Sequence, residues 1–335
     1  MKFGLFGGAV ARRGEETADS QGYGDFIDTV IEAEQLGFES IFIVEHHFSG
    51  GGQLSSSLNL LSYLAAKTST IRLGTAVTVL PWHNPVLIAE QAATVDLLSG
   101  GRLDFGVGKG YRDIEFHGFD IPKEEALARY EESIEVIVKS WTSDERFDHT
   151  GKYWSFNDII VEPPTIQKPH PPLWTAAGTD QSIARVAETG MSVMLDHFAS
   201  FERTEERLKA WRDACKRFDR KFDPMEVALA RGVTITLSEE ELEEATMIRE
   251  QRVSKMFDKF GALPGLEKSL PDQPDSYANP DLAIDDAALL GTPEMIIKRI
   301  QTLKDMGFEH ILFLLPDSIE TLRIISKEIM PAFKD

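Results

Sequence analysis

Three short segments carry the residue types from which chemistry is built. Glu45-His46-His47-Phe48 follows the strand-like run Ile41 to Val44. Histidine exchanges protons near neutral pH, so this segment is a candidate for acid–base work. If strand alternation persists, Glu45 and His47 point one way and His46 the other, so the three do not converge. The histidines lack i, i+4 helical spacing and have no Cys-rich or His-x-His partner set, and no bound metal is predicted. The second segment is Gly106-Val107-Gly108-Lys109-Gly110-Tyr111-Arg112. Its glycines let backbone approach a ligand closely, and Lys109 adds positive charge, which suits a phosphate. The third, Ala176-Ala177-Gly178-Thr179-Asp180-Gln181-Ser182, opens a helix with small residues, hydroxyls and free N–H groups. Such a terminus suits an anion, although plain N-capping by Thr179 or Asp180 explains the same residues.

The elements that must position these segments follow from periodicity. Strand-length apolar runs at Phe3 to Gly7, Ile41 to Val44, Ile71 to Leu80, Leu103 to Val107, Leu173 to Ala177, Ser192 to Leu195, Val227 to Leu237 and Ile311 to Leu315 alternate with helical stretches. Leu36-Gly37-Phe38-Glu39-Ser40-Ile41 is echoed by Met306-Gly307-Phe308-Glu309-His310-Ile311, and more briefly by Thr189-Gly190-Met191. Each glycine is placed to end a helix before a strand. The expectation is one (β/α)8 TIM barrel over residues 1–335, with a hairpin insertion at about 145–161 and a candidate lid at about 261–290. In such a barrel the three segments follow strands and open on one rim.

Composition bounds the partners. The net charge of −20, from 35 Lys and Arg against 55 Asp and Glu, disfavours nucleic acid and anionic lipid. No apolar run approaches a membrane span, and the single cysteine, Cys215, excludes an internal disulfide framework. The opening residues lack a leader pattern, which predicts a cytoplasmic chain. No Gly-x-Gly-x-x-Gly fingerprint and no P-loop occurs, so a dinucleotide is not expected.

With these motifs in hand, the sequence resembles the bacterial luciferase-like family of flavin-dependent monooxygenases along nearly its whole length. The resemblance rests on Glu45 to Phe48; Leu73-Gly74-Thr75-Ala76-Val77-Thr78-Val79-Leu80-Pro81 with Asn84-Pro85; Ala89-Glu90-Gln91 through Leu98-Ser99-Gly100-Gly101-Arg102; Phe105 to Tyr111; and Gly291-Thr292-Pro293. It implies an insertion-bearing barrel, usually dimeric, that binds FMN. The family's phosphate region matches Lys109, Gly110 and Tyr111 in one loop and Gly178, Thr179 and Ser182 in the other. Lys109 stands where arginine is usual, and an ammonium lacks arginine's bidentate fork. The family's non-proline cis peptide matches Ala76-Val77, and Phe6 and Val77 are candidates to pack on the flavin ring. A histidine matching His46 assists flavin chemistry in the light-emitting members, whose reactive cysteine is replaced here by Gly108, so light emission is not implied.

The resemblance implies an oxidoreductase that uses reduced FMN as cosubstrate, supplied by a separate reductase, with O2 and a small, largely apolar organic substrate. Hydride transfer with a deazaflavin and non-catalytic flavin binding are the alternatives within the same fold. Trp141, Trp154, Trp174 and Trp211 read as packing residues.

Overall fold

A computed structural model of the protein describes residues 1–11, 21–260, 288–316 and 318–334. The helices and strands in chain order are β1 (Lys2–Gly7), α1 (Gln21–Gln35), β2 (Ser40–Ile43), α2 (Ser57–Lys67), β3 (Arg72–Thr75), β4 (Thr78–Val79), α3 (Pro85–Leu98), β5 (Leu103–Gly108), α4 (Asp113–Gly118), α5 (Ala126–Thr142), β6 (Phe147–Thr150), β7 (Ser155–Ile159), β8 (Leu173–Ala176), α6 (Asp180–Thr189), β9 (Ser192–Leu195), α7 (Phe201–Arg217), β10 (Val227–Arg231), β11 (Val233–Ile235), α8 (Glu239–Phe260), β12 (Leu289–Gly291), α9 (Pro293–Met306), β13 (His310–Leu314) and α10 (Ile319–Ile324). The main sheet has the order β3-β2-β1-β13-β10-β9-β8-β5-β4, with β3 also pairing β5. Parallel strands alternating with helices in this order make the fold a (β/α)8 barrel.

The chain divides into two compact units, residues 7–34 with 40–174, and residues 1–6 with 35–39 and 175–335. In the first unit, β2 pairs β3 in parallel with Ser40 opposite Arg72, and β3 pairs β5 with Leu73 opposite Leu103. All four residues of β2 and all six of β5 are buried, as expected of parallel strands covered on both faces. The expected run Ile71 to Leu80 is not one strand. The Ala76–Val77 peptide is cis, β4 pairs β5 with Thr78 opposite Val107, and a 3-10 turn follows over Leu80–Trp82. The apolar pair Ala76-Val77 at the break gave no turn signal. Helix α3 then starts at Asn84, whose side chain accepts from the N–H groups of Val86 and Leu87, with Pro85 in the first turn.

The hairpin of β6 and β7 is antiparallel. Glu132 of α5 holds its turn, accepting from the N–H groups of Lys152, Tyr153 and Trp154 at 3.1, 3.0 and 2.7 Å. These bonds satisfy turn donors and hold the Glu132 carboxyl below its usual range, against the opposing effect of burial.

In the second unit, β13 pairs both β1 and β10 in parallel, and β10 pairs β9. The expected run Val227 to Leu237 is divided at Gly232 into β10 and β11, and β11 pairs β12 with Val233 opposite Leu289. Gly37, Gly190 and Gly307, the glycines of the sequence echo, all adopt positive φ. Of the segment expected as a lid, residues 261–287 lie outside the described residues. No helix among the described residues is long and apolar enough to cross a membrane.

Candidate active site

The first unit gathers two histidine–carboxylate clusters at the end of β2. Alternation along the chain separates them: His46 turns to Glu115, while His47 turns to Glu45. The His46 Nδ1 lies 3.1 Å from Glu115 Oε1, and the backbone N–H of His47 donates to the same oxygen at 2.9 Å. An ionised carboxylate only accepts, so Nδ1 carries the hydrogen and Nε2 is left as the basic nitrogen. Glu115 is buried, and the short helix α4 places it beneath the loop that follows β5. Arg112, at the start of this helix, reaches within 4.0 Å of Glu115 and donates to Gln53 Oε1 at 3.1 Å. The His46 N–H donates to the Leu54 carbonyl, which ties the strand end to its loop.

Glu45 is 3% exposed, and its Oε1 accepts from His83 Nε2 at 2.8 Å, Trp82 Nε1 at 3.1 Å and His47 Nε2 at 3.2 Å. Burial alone would raise its pKa. The hydrogen bonds from His47, His83 and Trp82 and the nearby His83 charge outweigh that effect and hold it below the usual carboxylate range. The His47 ring is fixed edge-on against Phe119 and Trp82, with centroids at 4.9 and 5.8 Å.

The glycine loop lies in the same unit. Tyr111 is half exposed, and its ring sits edge-on to His46 with centroids 6.4 Å apart. A Cβ at Gly108 would stand 2.4 Å from Val77 Cγ2, so the approach of β5 to the Ala76–Val77 turn requires glycine. Gly110 has φ of +76°, a conformation glycine adopts without strain, and a side chain there would meet Val79 and Trp82. Lys109 is exposed. His46, Ala76, Val77, Lys109, Gly110 and Tyr111 thus belong to one unit.

Phe6, Gly178, Thr179 and Ser182 belong to the other. Phe6, next to last in β1, has its ring centroid 6.3 Å from that of His197. Thr179 caps α6 in a reciprocal box: its hydroxyl accepts from Ser182 N at 3.2 Å, and Ser182 Oγ accepts from Thr179 N at 3.0 Å. The capping alternative for these residues is therefore realised. Behind this loop, buried Arg207 donates to Asp196 Oδ2 at 2.8 Å, and its Nη2 would lie 3.2 Å from a Cβ at Gly178. Burial pushes the His197 imidazole down to about 4, assisted by the Arg231 and Arg249 charges and opposed by Asp196.

Glu115, Trp82 and His83 were not singled out from the sequence. Each meets its partner across a long separation, 69 residues for Glu115 with His46 and 38 for His83 with Glu45. The one local signal was an acidic residue just beyond the glycine loop.

Comparison with known proteins places the chain among its relatives. An uncharacterized protein, y4vJ, of Sinorhizobium fredii is 34% identical over 186 residues, 56% of this chain and 53% of that protein, so the chain spans about half the length of this relative. The oxygenase component of a flavin-dependent trigonelline monooxygenase from Acinetobacter baylyi is 26% identical, covering 100% of this chain and 96% of that one. An F420-dependent glucose-6-phosphate dehydrogenase from Nakamurella multipartita is 27% identical over 95% of both chains. Among solved structures, the monooxygenase RslO1 of Streptomyces bottropensis shares the fold with a TM-score of 0.83 at 24% identity, covering 100% of both chains. Residues 1–310 match the model of the luciferase-like monooxygenases, and the chain belongs to that family.

Proposed function

We propose that the protein is an FMN-dependent monooxygenase. It takes reduced FMN from a separate flavin reductase, places one atom of O2 in a small, largely apolar organic substrate and releases the other as water. The observation that carries this reading is the buried Glu115 holding His46 beside the Lys109 to Tyr111 loop. The two electrons come from reduced FMN, whose ring supplies the oxygen chemistry when bound.

The residues of the chain hold the cofactor and manage protons. Lys109 and the Gly110 and Tyr111 backbone offer positive charge and N–H groups to the phosphate, as do Gly178, Thr179, Ser182 and the first turn of α6. Ala76, Val77 and Phe6 are the residues proposed to lie against the flavin ring, with Val77 packed on Gly108 behind it. His46 Nε2 takes or returns a proton, and the Glu115 carboxylate offsets the charge on the imidazolium while holding its orientation. The exposed apolar groups Phe48, Tyr111 and Ile114, 52, 48 and 50% exposed, favour an apolar substrate.

The chain acts as one barrel domain, in the cytoplasm and as a homodimer. Tyr63, Leu87 and Leu98, exposed at 49, 53 and 59% on and just around α2 and α3, supply an apolar face for a second copy. The test of the reaction is aerobic turnover with photoreduced FMN and isotopically labelled dioxygen. Label in product supports it; label only in water or peroxide across a broad substrate panel overturns it.

A second reading is hydride transfer with a deazaflavin, favoured by the F420-dependent relative that aligns along 95% of both chains. Parallel titration with FMN and F420 separates the two, and failure of FMN to bind while F420 does would select the second.

A further inference from the structure

We propose that Glu45, His47 and His83 form a binding site for a divalent transition-metal ion of the zinc or cobalt type, separate from the flavin chemistry. Their ligating atoms all lie within 4.8 Å of one another. His83 Nε2 and His47 Nε2 stand 2.8 and 3.2 Å from Glu45 Oε1. Ligands bonded tetrahedrally at about 2.0–2.1 Å from zinc lie about 3.3 Å apart, close to the two distances that His83 and His47 already keep from Glu45 Oε1.

The hydrogen-bond inventory points the same way. Three N–H groups, from His47, Trp82 and His83, converge within 3.2 Å on one carboxylate oxygen, which has two lone pairs. A cation in place of the two imidazole hydrogens leaves one lone pair for the metal and one for the Trp82 N–H. Each imidazole then carries its hydrogen on Nδ1 and presents Nε2 to the ion. Two nitrogens and one oxygen suit zinc, cobalt or nickel, whereas calcium and magnesium require sets of oxygens.

The surroundings fit a held ion. Phe119 and Trp82 fix the His47 ring, and the Trp82 N–H orients the carboxylate from outside the ligand set, as partners of metal ligands commonly do. The Glu45 side chain is 2% exposed, but that of His83 is 26% exposed, which leaves a way in and room for a water as fourth ligand. The ion would clamp the end of β2 to the turn after β4. His46, aimed away toward Glu115, is not a ligand.

The experiment uses untagged full-length protein stripped with a chelator and titrated with Zn2+ against a chromophoric competitor. Saturable binding of one equivalent per chain is expected, weakened at least about tenfold by His83→Ala. His117→Ala, which removes an exposed imidazole of α4, should bind as the wild type does. Should His83→Ala fail to fold, X-ray absorption of zinc on the wild type decides, with two imidazoles and oxygen expected. Absence of saturable binding, equal affinity in a folded His83→Ala, or a sulfur ligand from Cys215 would overturn the proposal.

Discussion

The two units place histidine in opposite electrostatic settings. At the end of β2, His46 and His47 each face a buried carboxylate that accepts from the ring. After β9, His197 lies near Arg231 and Arg249, and the adjacent Asp196 is engaged by Arg207 and by the N–H groups of Phe198 and Ala199. A histidine facing a carboxylate can carry a proton without leaving a bare buried charge. One set among guanidinium groups stays neutral. The difference lies in the partner each fold region delivers to the ring, a carboxylate in the first unit and guanidinium groups in the second.

The strongest way to break this contrast is His46→Ala. Proton transfer by a positioned side chain is worth about 10²–10⁴-fold, so turnover should fall by that order while reduced-FMN affinity stays near the wild type. Steady-state rates together with a binding titration check it, and undiminished turnover would remove His46 from the chemistry. Glu115→Gln is expected to act next in size, lowering turnover roughly tenfold or more and altering its pH profile, because the charge facing the imidazole is gone. An unaltered profile would leave Glu115 a packing residue.

His197 sharpens the other side of the comparison. Its folded pKa of about 4 lies below the ordinary 6.5. The stability this neutral ring contributes is complete above pH 6.5 and is lost as pH falls from there toward 4, by on the order of 3 kcal/mol at most. Chemical denaturation between these limits should show a steeper loss in the wild type than in His197→Gln. The smallest effect is expected from Lys109→Ala. An exposed ammonium adds about tenfold or less to phosphate affinity, and the difference should shrink with added salt.

The candidate site was partly legible in the chain. Glu45 to Phe48 and Gly106 to Arg112 announced themselves by residue type at strand ends, and their family resemblance is matched by the cis peptide at Ala76–Val77. The break in the run Ile71 to Leu80 was hidden because the apolar pair Ala76-Val77 occupies it, and periodicity reports burial rather than pairing; in Val227 to Leu237 the break falls at Arg231-Gly232.

The sequence by itself determined the barrel, the helix-ending glycines and the divergence of His46 from His47, since each depends on local period or on backbone freedom at one residue. Only the tertiary structure decided which carboxylate each histidine meets. Glu115 comes to His46 across 69 residues, and His83 to Glu45 across 38. A buried charge is stabilised by whichever donors the fold delivers to it, and strand pairing, not proximity along the chain, makes that delivery.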